Sequence, residues 1–501
     1  MKPTVLGLVI ALAGALAFGE EPSLELGDRR PQSVADPSAA AFARLDAPVA
    51  ALAVAADPVG EARRSGFRVE GAKVQLEVVS APEDAAGLAA WLEAGGATAV
   101  DGRDGLLEAY VPARLLPALD RHPAVRWVRR PVYAALPEPW LVAAGSAPKD
   151  VIFSEGLPAA NVPEWHADGF TGNGVKVGVI DIEMYGWDDL LGSELPPSDR
   201  VHYQSFGGGS SSPGEVHGTA VAEIVHDMAP DAELYLAEIG GTTSNFTSAV
   251  QWMLSSGVRV VAMSITYFGV GPGDGTGYFQ NQIANFVGSA NGVWAHSAGN
   301  YRDSHWQGQS VDADGNGWVE LNGENEIQRF DASASAGDSI RVSLQWNDWT
   351  AVNQDYSLHL FRVDGVEPVE VAAADTLQTG FGGQAPTEFL DFTVSEAGRY
   401  GVGIFRKNVS GTHDLEFFSL DFGVSGSVTA GSVTTPGDAP AAMATAAMAA
   451  TGSTVRTYSS AGPTNGPGGS LEGGTVKPDI AAYDGVSTAS YGGQSFGYRV
   501  Y

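Results

Sequence analysis

Three polar residues stand at the ends of apolar runs, where side chains are free to do chemistry. Asp181 follows the run Val175 to Ile180. A carboxylate at the carboxyl end of a strand is placed to orient an imidazole and to stabilise it when protonated; a helix N-cap or a cation ligand also suits that position. His217 opens the stretch His-Gly-Thr-Ala-Val-Ala-Glu. An imidazole at a strand-to-helix junction can act as a general base near neutral pH, or simply be a structural histidine on a loop. Asn300 follows Ala298-Gly299 after the run Val293 to Ser297. Its amide could donate to a developing oxyanion, and it equally fits a plain turn.

The elements that must position these residues follow from periodicity. Between 151 and 300, short apolar runs alternate with helical patterns. The strands are Val175–Ile180, Leu234–Ile239, Val258–Ile265 and Val293–Ser297. The helices are Thr219–Met228, Phe246–Leu254 and Gln282–Val287. That alternation predicts a doubly wound parallel sheet covered on both faces, an α/β fold with ligand sites at the carboxyl ends of its strands. Residues 73–132 read as β-α-β-β-α-β, a ferredoxin-like unit. From about 320 to 425 the pattern becomes all-β, which predicts a sandwich or jelly roll inserted into the α/β domain. After 425 a small-residue, glycine-rich style returns.

Composition sets the outer limits. The 501 residues contain no cysteine, which excludes disulfides, thiolate metal sites and a cysteine nucleophile. The net charge is −31, and it is uneven: residues 1–150 hold 15 basic and 19 acidic side chains, residues 151–501 hold 13 and 40. Such a surface disfavours nucleic acid and anionic membranes. At the start, Lys2, the apolar run Val5–Leu16 and Ala15-Leu16-Ala17 form a signal-peptide pattern over residues 1–17. A single membrane anchor is the other reading, but the run is short for a span. The expectation is a secreted protein, extracellular or periplasmic, with no membrane association once the signal is removed. Residues 18–72 read as a weakly periodic leader or linker.

Taken in order, an apolar strand ending in Asp181, a His217-Gly-Thr helix start and a strand ending Ala298-Gly299-Asn300 resemble the subtilisin-like serine proteases. Met263-Ser264-Ile265-Thr266 resembles the strand lining that family's substrate pockets. Tyr458-Ser-Ser-Ala-Gly-Pro463 and Val476-Lys-Pro-Asp-Ile480 resemble the segments that lead to its nucleophile. The resemblance implies a domain order of signal 1–17, leader 18–72, prodomain 73–135, catalytic domain 150–319 and 426–501, and an inserted β-sandwich at 320–425. It implies that Asp181 orients, His217 is the general base and Asn300 the oxyanion donor. Ser264, Ala298 and Gly299 would flank a bound peptide. The implied protein is a serine endopeptidase zymogen, a monomer acting on protein or peptide substrates, with its own prodomain as partner.

Two departures qualify this. Asp181 is followed by Ile182-Glu183, where the family usually has Ser or Thr and then Gly. The nucleophile motif Gly-Thr-Ser-x-x-x-Pro occurs nowhere in residues 1–501. The 501-residue chain is therefore expected to be inactive as given and is read as truncated ahead of that motif. A second reading from a different class is an exported, non-catalytic binding protein that uses the β-insert. No cofactor is required. A structural calcium ion is a further expectation, on the D-x-D-x-N-G spacing of Asp312, Asp314 and Asn316, and more weakly on Asp348, Asp355 and Glu388 in the insert. Glu223 and Asp227, four apart, read as a solvated helix face.

Overall fold

The computed structural model describes residues 24–27, 29–31, 42–103, 105–135, 151–207, 211–323, 325–365, 367–380, 384–450 and 452–491. The signal pattern at 1–17 and the last predicted flank, Ser495-Phe-Gly497, lie outside these residues.

The N-terminal region contains helices α1 (Ala47–Val54) and α2 (Pro58–Arg64), strands β1 (Val69–Glu70) and β2 (Lys73–Ser80), helix α3 (Ala85–Ala94), strands β3 (Thr98–Arg103) and β4 (Leu106–Pro112), helix α4 (Leu116–Leu119) and strand β5 (Val125–Arg129). The sheet runs β1–β2–β4–β3, with β5 also on β2, and every pairing is antiparallel. Here the reading of 18–72 as linker needs correcting. Residues 47–64 form two helices, each started by an aspartate and a proline. Asp46 accepts the Val49 N–H at 2.9 Å and Asp57 accepts the Gly60 N–H at 3.0 Å. Val49, Ala50 and Leu52 are buried in one apolar cluster with Leu116 and Leu119 of α4 and Val128 of β5, elements that α1 contacts. That burial stabilises a short helix which propensity alone would leave marginal.

Short helices α5 (Gly156–Ala159) and α6 (Val162–Ala167) lead into the main body. It contains strands β6 (Lys176–Asp181), β7 (Val201–Ser205), β8 (Glu233–Glu238), β9 (Val260–Met263) and β10 (Val293–Ser297), with helices α7 (His217–Met228), α8 (Thr243–Ser256) and α9 (Tyr278–Ala290). Then come eight strands of a separate layer: β11 (His305–Gln309), β12 (Gln328–Arg329), β13 (Ser339–Trp346), β14 (Asp355–Arg362), β15 (Val369–Ala374), β16 (Thr387–Thr393), β17 (Tyr400–Asn408) and β18 (Asp414–Ser419). The chain returns to the body with β19 (Met443–Ala449) and β20 (Ile480–Asp484).

The body's sheet is parallel throughout, in the order β20–β19–β10–β9–β6–β8–β7. Both faces are covered, as near-continuous apolar strands require. Ile180, Val261 and Trp294 pack with Phe246, Met253 and Phe286 on one side. Val179, Leu234 and Leu236 pack with Ala220 and Val221 on the other. The eight-strand layer is two antiparallel sheets, β11–β18–β13–β16 and β12–β17–β14–β15. They enclose Trp346, Tyr356, Leu358, Val402 and Phe417. Its first strand starts at His305, ahead of the predicted 320. The polar string His-Trp-Gln-Gly-Gln hides a strand that pairs with β18 from His305↔Phe418 to Gln309↔Asp414.

Candidate active site

Asp181 is the last residue of β6 and is fully buried. Its Oδ2 lies 2.8 Å from Nδ1 of His217, while Oδ1 accepts the Ile182 N–H at 2.8 Å. His217 is the first residue of α7. Gly218 is required next: a Cβ there would sit 2.5 Å from both Asp181 Cβ and the Glu183 carbonyl. Burial works against the charge on His217, but Asp181 opposes it by charge and hydrogen bond, and Glu183 adds to this. The imidazole is held above its usual value. Its Nε2 is buried and has no hydrogen-bond partner.

Asn300 follows β10, and β9 lies between β10 and β6. With all three strands parallel, their carboxyl ends share one edge, and two strand spacings of ~4.8 Å separate the ends of β6 and β10. The Asn300 Nδ2 is likewise buried without a partner. His217 and Asn300, at the carboxyl edge of the sheet, thus each carry a buried side-chain nitrogen with no partner among the described residues. Other buried side-chain atoms among the described residues also lack a protein partner, Tyr267 Oη, His296 Nε2 and Thr434 Oγ1 among them, so it is the place of these two at the strand ends that marks them.

An extended peptide already lies beside this edge. Ala134 donates to the Gly241 carbonyl at 2.7 Å, and Ala135 exchanges bonds with Thr266, donating at 2.8 Å and accepting at 3.1 Å. Residues 134–135 thus lie between Gly241 and Thr266 as an added antiparallel strand. Ser264 precedes Thr266 and is buried. Ala298 accepts the Thr434 N–H at 3.1 Å, and Gly299 has φ +105°. A Cβ on Gly299 would meet Thr434 Oγ1 at 2.7 Å, so Thr434 closes the space beside Gly299. The same N-terminal region docks on α8, where Glu108 accepts from the Ser244 hydroxyl at 2.6 Å and the Ser244 N–H at 3.3 Å.

Two residues were not marked from sequence. Thr434 is one, and nothing local signals it. Glu183 is the other: its Oε1 accepts the His217 N–H at 3.0 Å. Burial chiefly, with the Asp181 charge adding, pushes its carboxyl up to about 7, against the His217 N–H and imidazole, which lower it. Ile182-Glu183, directly after Asp181, thus places a second acid beside the histidine.

The Glu223–Asp227 pair is not a solvated face, because α7 is covered by the chain's far end. Glu223 is buried and accepts N–H bonds from Ala489 at 2.5 Å and Ser490 at 3.1 Å, and burial pushes its carboxyl up to about 8. Asp227 accepts from Ser154 N–H at 2.7 Å.

Most of the proposed cation ligands have protein partners, whereas Asp312 Oδ1 is buried without one. Asp314 accepts the Asn316 N–H at 3.0 Å, and Asn316 accepts the Trp318 N–H at 2.7 Å. Asp312 stands on the same turn. Asp355 lies 3.3 Å from the Lys407 ammonium, which Asp375 also holds. Glu388 accepts the Thr376 N–H and Asp348 the Gln354 N–H. Among the described residues no group of three or more His, Asp or Glu side chains is placed to hold a metal ion. No helix among them is long and apolar enough to cross a membrane.

Comparison with known proteins gives local likenesses. The chain is 27% identical over 118 residues to Subtilisin Savinase of Lederbergia lenta, covering 22% of this chain and 44% of that protein. It is 31% identical over 123 residues to Subtilisin E of Bacillus subtilis strain 168, covering 22% and 32%. The chain spans less than half the length of these relatives. A solved structure, the CspB protease of Clostridium perfringens, aligns at a TM-score of 0.46 and 13% identity, over 66% of this chain and 80% of that one. No protein-family model matches. What the matches carry is a distant, local similarity to subtilisins.

Proposed function

We propose that the Asp181–His217–Asn300 edge is the active site of a serine endopeptidase of the subtilisin-like kind. The observation that carries this is the pair of unsatisfied buried atoms, His217 Nε2 and Asn300 Nδ2, beside a backbone edge that already holds an extended peptide. His217 would take the proton of an attacking serine hydroxyl at Nε2, with Nδ1–H held by Asp181. Asn300 would donate to the tetrahedral oxyanion. The His217 imidazolium would give that proton to the departing amine as the peptide C–N bond breaks, and water, deprotonated by His217, would then attack the acyl-enzyme and release the acid and the serine hydroxyl. Ser264, Ala298 and Gly299 would flank the substrate backbone, and Thr434 would restrict the space beside Gly299.

In this reading the protein is exported as a zymogen. Residues 73–135 assist folding and cap the site, and residues 134–135 mimic a substrate strand. Cleavage between 133 and 160 would release the mature part. The serine itself is not identified within residues 1–501, so the 501-residue chain should not hydrolyse casein. The test is the gene sequence beyond codon 501, translated in three frames. Gly-Thr-Ser-x-x-x-Pro is expected in one of them. Its absence from all three, or casein hydrolysis by the pure 501-residue chain, would overturn the serine reading.

A further inference from the structure

We propose that the β-sandwich carries a peptide-recognition slot, filled in this chain by its own leader, that reads an extended segment with leucines two residues apart and an arginine three further on. Leu26 is 2% exposed although it belongs to a stretch with no element of its own. It is inserted among Trp318, Ile327, Phe361 and Phe405, with Leu24 beside it. None of these contacts involves the Asp181–His217 edge, so the inference stands apart from the proteolytic reading.

The slot addresses the segment's main chain as well as its leucines. Asn325 Oδ1 accepts the Leu24 N–H at 2.9 Å, and the Glu326 N–H donates to the Leu24 carbonyl at 3.1 Å. The Glu326 carboxylate accepts the Leu26 N–H. The Trp318 indole N–H donates to the Arg29 carbonyl at 2.8 Å. Gly27, at φ +57°, turns the chain after the second leucine. Arg29 then reaches the Pro368 carbonyl at 3.1 Å and pairs with Glu367.

Glu326 and Trp318 are 2% and 1% exposed. Burying a carboxylate and an indole N–H is costly unless both are bonded, and here each has a leader main-chain group as partner. The Asp312–Gly317 turn has a role in this arrangement: the Asn316 amide donates to Glu326 and fixes it towards the slot. Main-chain bonds for affinity and pockets for alternate side chains for selectivity are the parts of extended-peptide recognition.

The test uses the full chain with Leu24→Asp and Leu26→Asp, which empties the slot, and a labelled peptide of residues 22–32. Saturable binding to this variant, none to the unaltered chain and none by a peptide with both leucines replaced by aspartate is the expected result. Adding Trp318→Phe should weaken binding about 3- to 10-fold, the worth of one hydrogen bond. No binding to a variant whose near-ultraviolet circular dichroism matches the unaltered chain would overturn the proposal, as would equal binding by the aspartate peptide. Should the double variant not fold, a protease site placed between Gln32 and Ala41 of the otherwise unaltered chain serves instead. After cutting, the leader fragment should co-elute with the chain and be displaced by excess free peptide. A fragment that separates at once from an intact chain would overturn the proposal.

Discussion

His217 and His359 are both buried imidazoles bonded through Nδ1 to a carboxylate, at 2.8 Å from Asp181 and 2.9 Å from Glu370. His359 goes further, with Ser357 Oγ 2.8 Å from its Nε2. By connectivity alone, the sandwich holds a complete serine–histidine–acid row, and around His217 the described residues of the α/β body do not. Position reverses the ranking. Ser357 and His359 are each 1% exposed and lie two apart in the middle of β14, between β15 and β17. The Trp318 ring lies 5.1 Å from the His359 ring. Every polar atom of that histidine is satisfied, and its neighbours' backbone groups are spent on ladder bonds. His217 instead lies beyond a strand end, with Nε2 unpaired, an unpaired amide on the same sheet edge and a peptide strand alongside. A hydrogen-bonded row is a way to bury polar groups. It becomes a candidate site where one end is left open and a donor stands on the same sheet edge.

Replacing each histidine by alanine gives the largest expected contrast. In a chain extended by the Gly-Thr-Ser segment of the proposed function, His217→Ala should lower kcat by about 10⁴- to 10⁶-fold, and leaving the buried Asp181 carboxylate without its imidazole should lower stability as well. His359→Ala should leave kcat near that of the parent, while the cavity left by the buried ring and the lost bond to Ser357 reduce stability by roughly 2–4 kcal/mol. A rate loss from His359→Ala comparable with that from His217→Ala would mean that the comparison is drawn at the wrong place.

Asn300→Ala should come next, at about 10²- to 10³-fold in kcat with KM nearly constant, as for a donor used only in the transition state. A change confined to KM would make Asn300 a turn residue, which its sequence context alone also allows.

The parts of the site visible in the sequence were those tied to the parallel sheet. Asp181 and Asn300 end apolar runs, and His217 starts a helix, so topology brings all three to one edge. Glu183 and Thr434 were not visible, because their roles depend on how a loop returns to the histidine and to Gly299. Helices α1 and α2 were hidden by low contrast in an Ala- and Pro-rich stretch. Their Asp-Ala-Pro and Asp-Pro starts were the available signal. Glu223 read as solvated because the segment that buries it, 487–490, lies over 260 residues away in sequence. Leu26 was invisible for the same kind of reason: its partners begin at Trp318, and one inserted leucine leaves no periodicity.

The smallest expected effect concerns Glu183, which separates the two histidines in a second way. The carboxyl beside His217 is pushed up to about 7, whereas an unfolded glutamate titrates near 4.5. A raised folded value means that the folded state favours the protonated form. The linked stability is fully present below about pH 4.5 and is lost as pH rises towards and through 7. Glu183→Gln removes the titrating group while its side-chain oxygen can still accept the His217 N–H. The variant should therefore gain on the parent as pH rises from 4.5 to 8, by roughly 1–3 kcal/mol after allowing for partial exposure, measured by denaturant unfolding. In the chain extended by the proposed Gly-Thr-Ser segment, the acidic limb of kcat/KM should lie above the usual imidazole value, because His217 must be neutral to accept a proton. Removing the Glu183 charge should move that limb to lower pH, with kcat at high pH little altered. A limb that does not move, together with parallel stability curves for the two chains, would leave Glu183 only as an acceptor for the first N–H of α7.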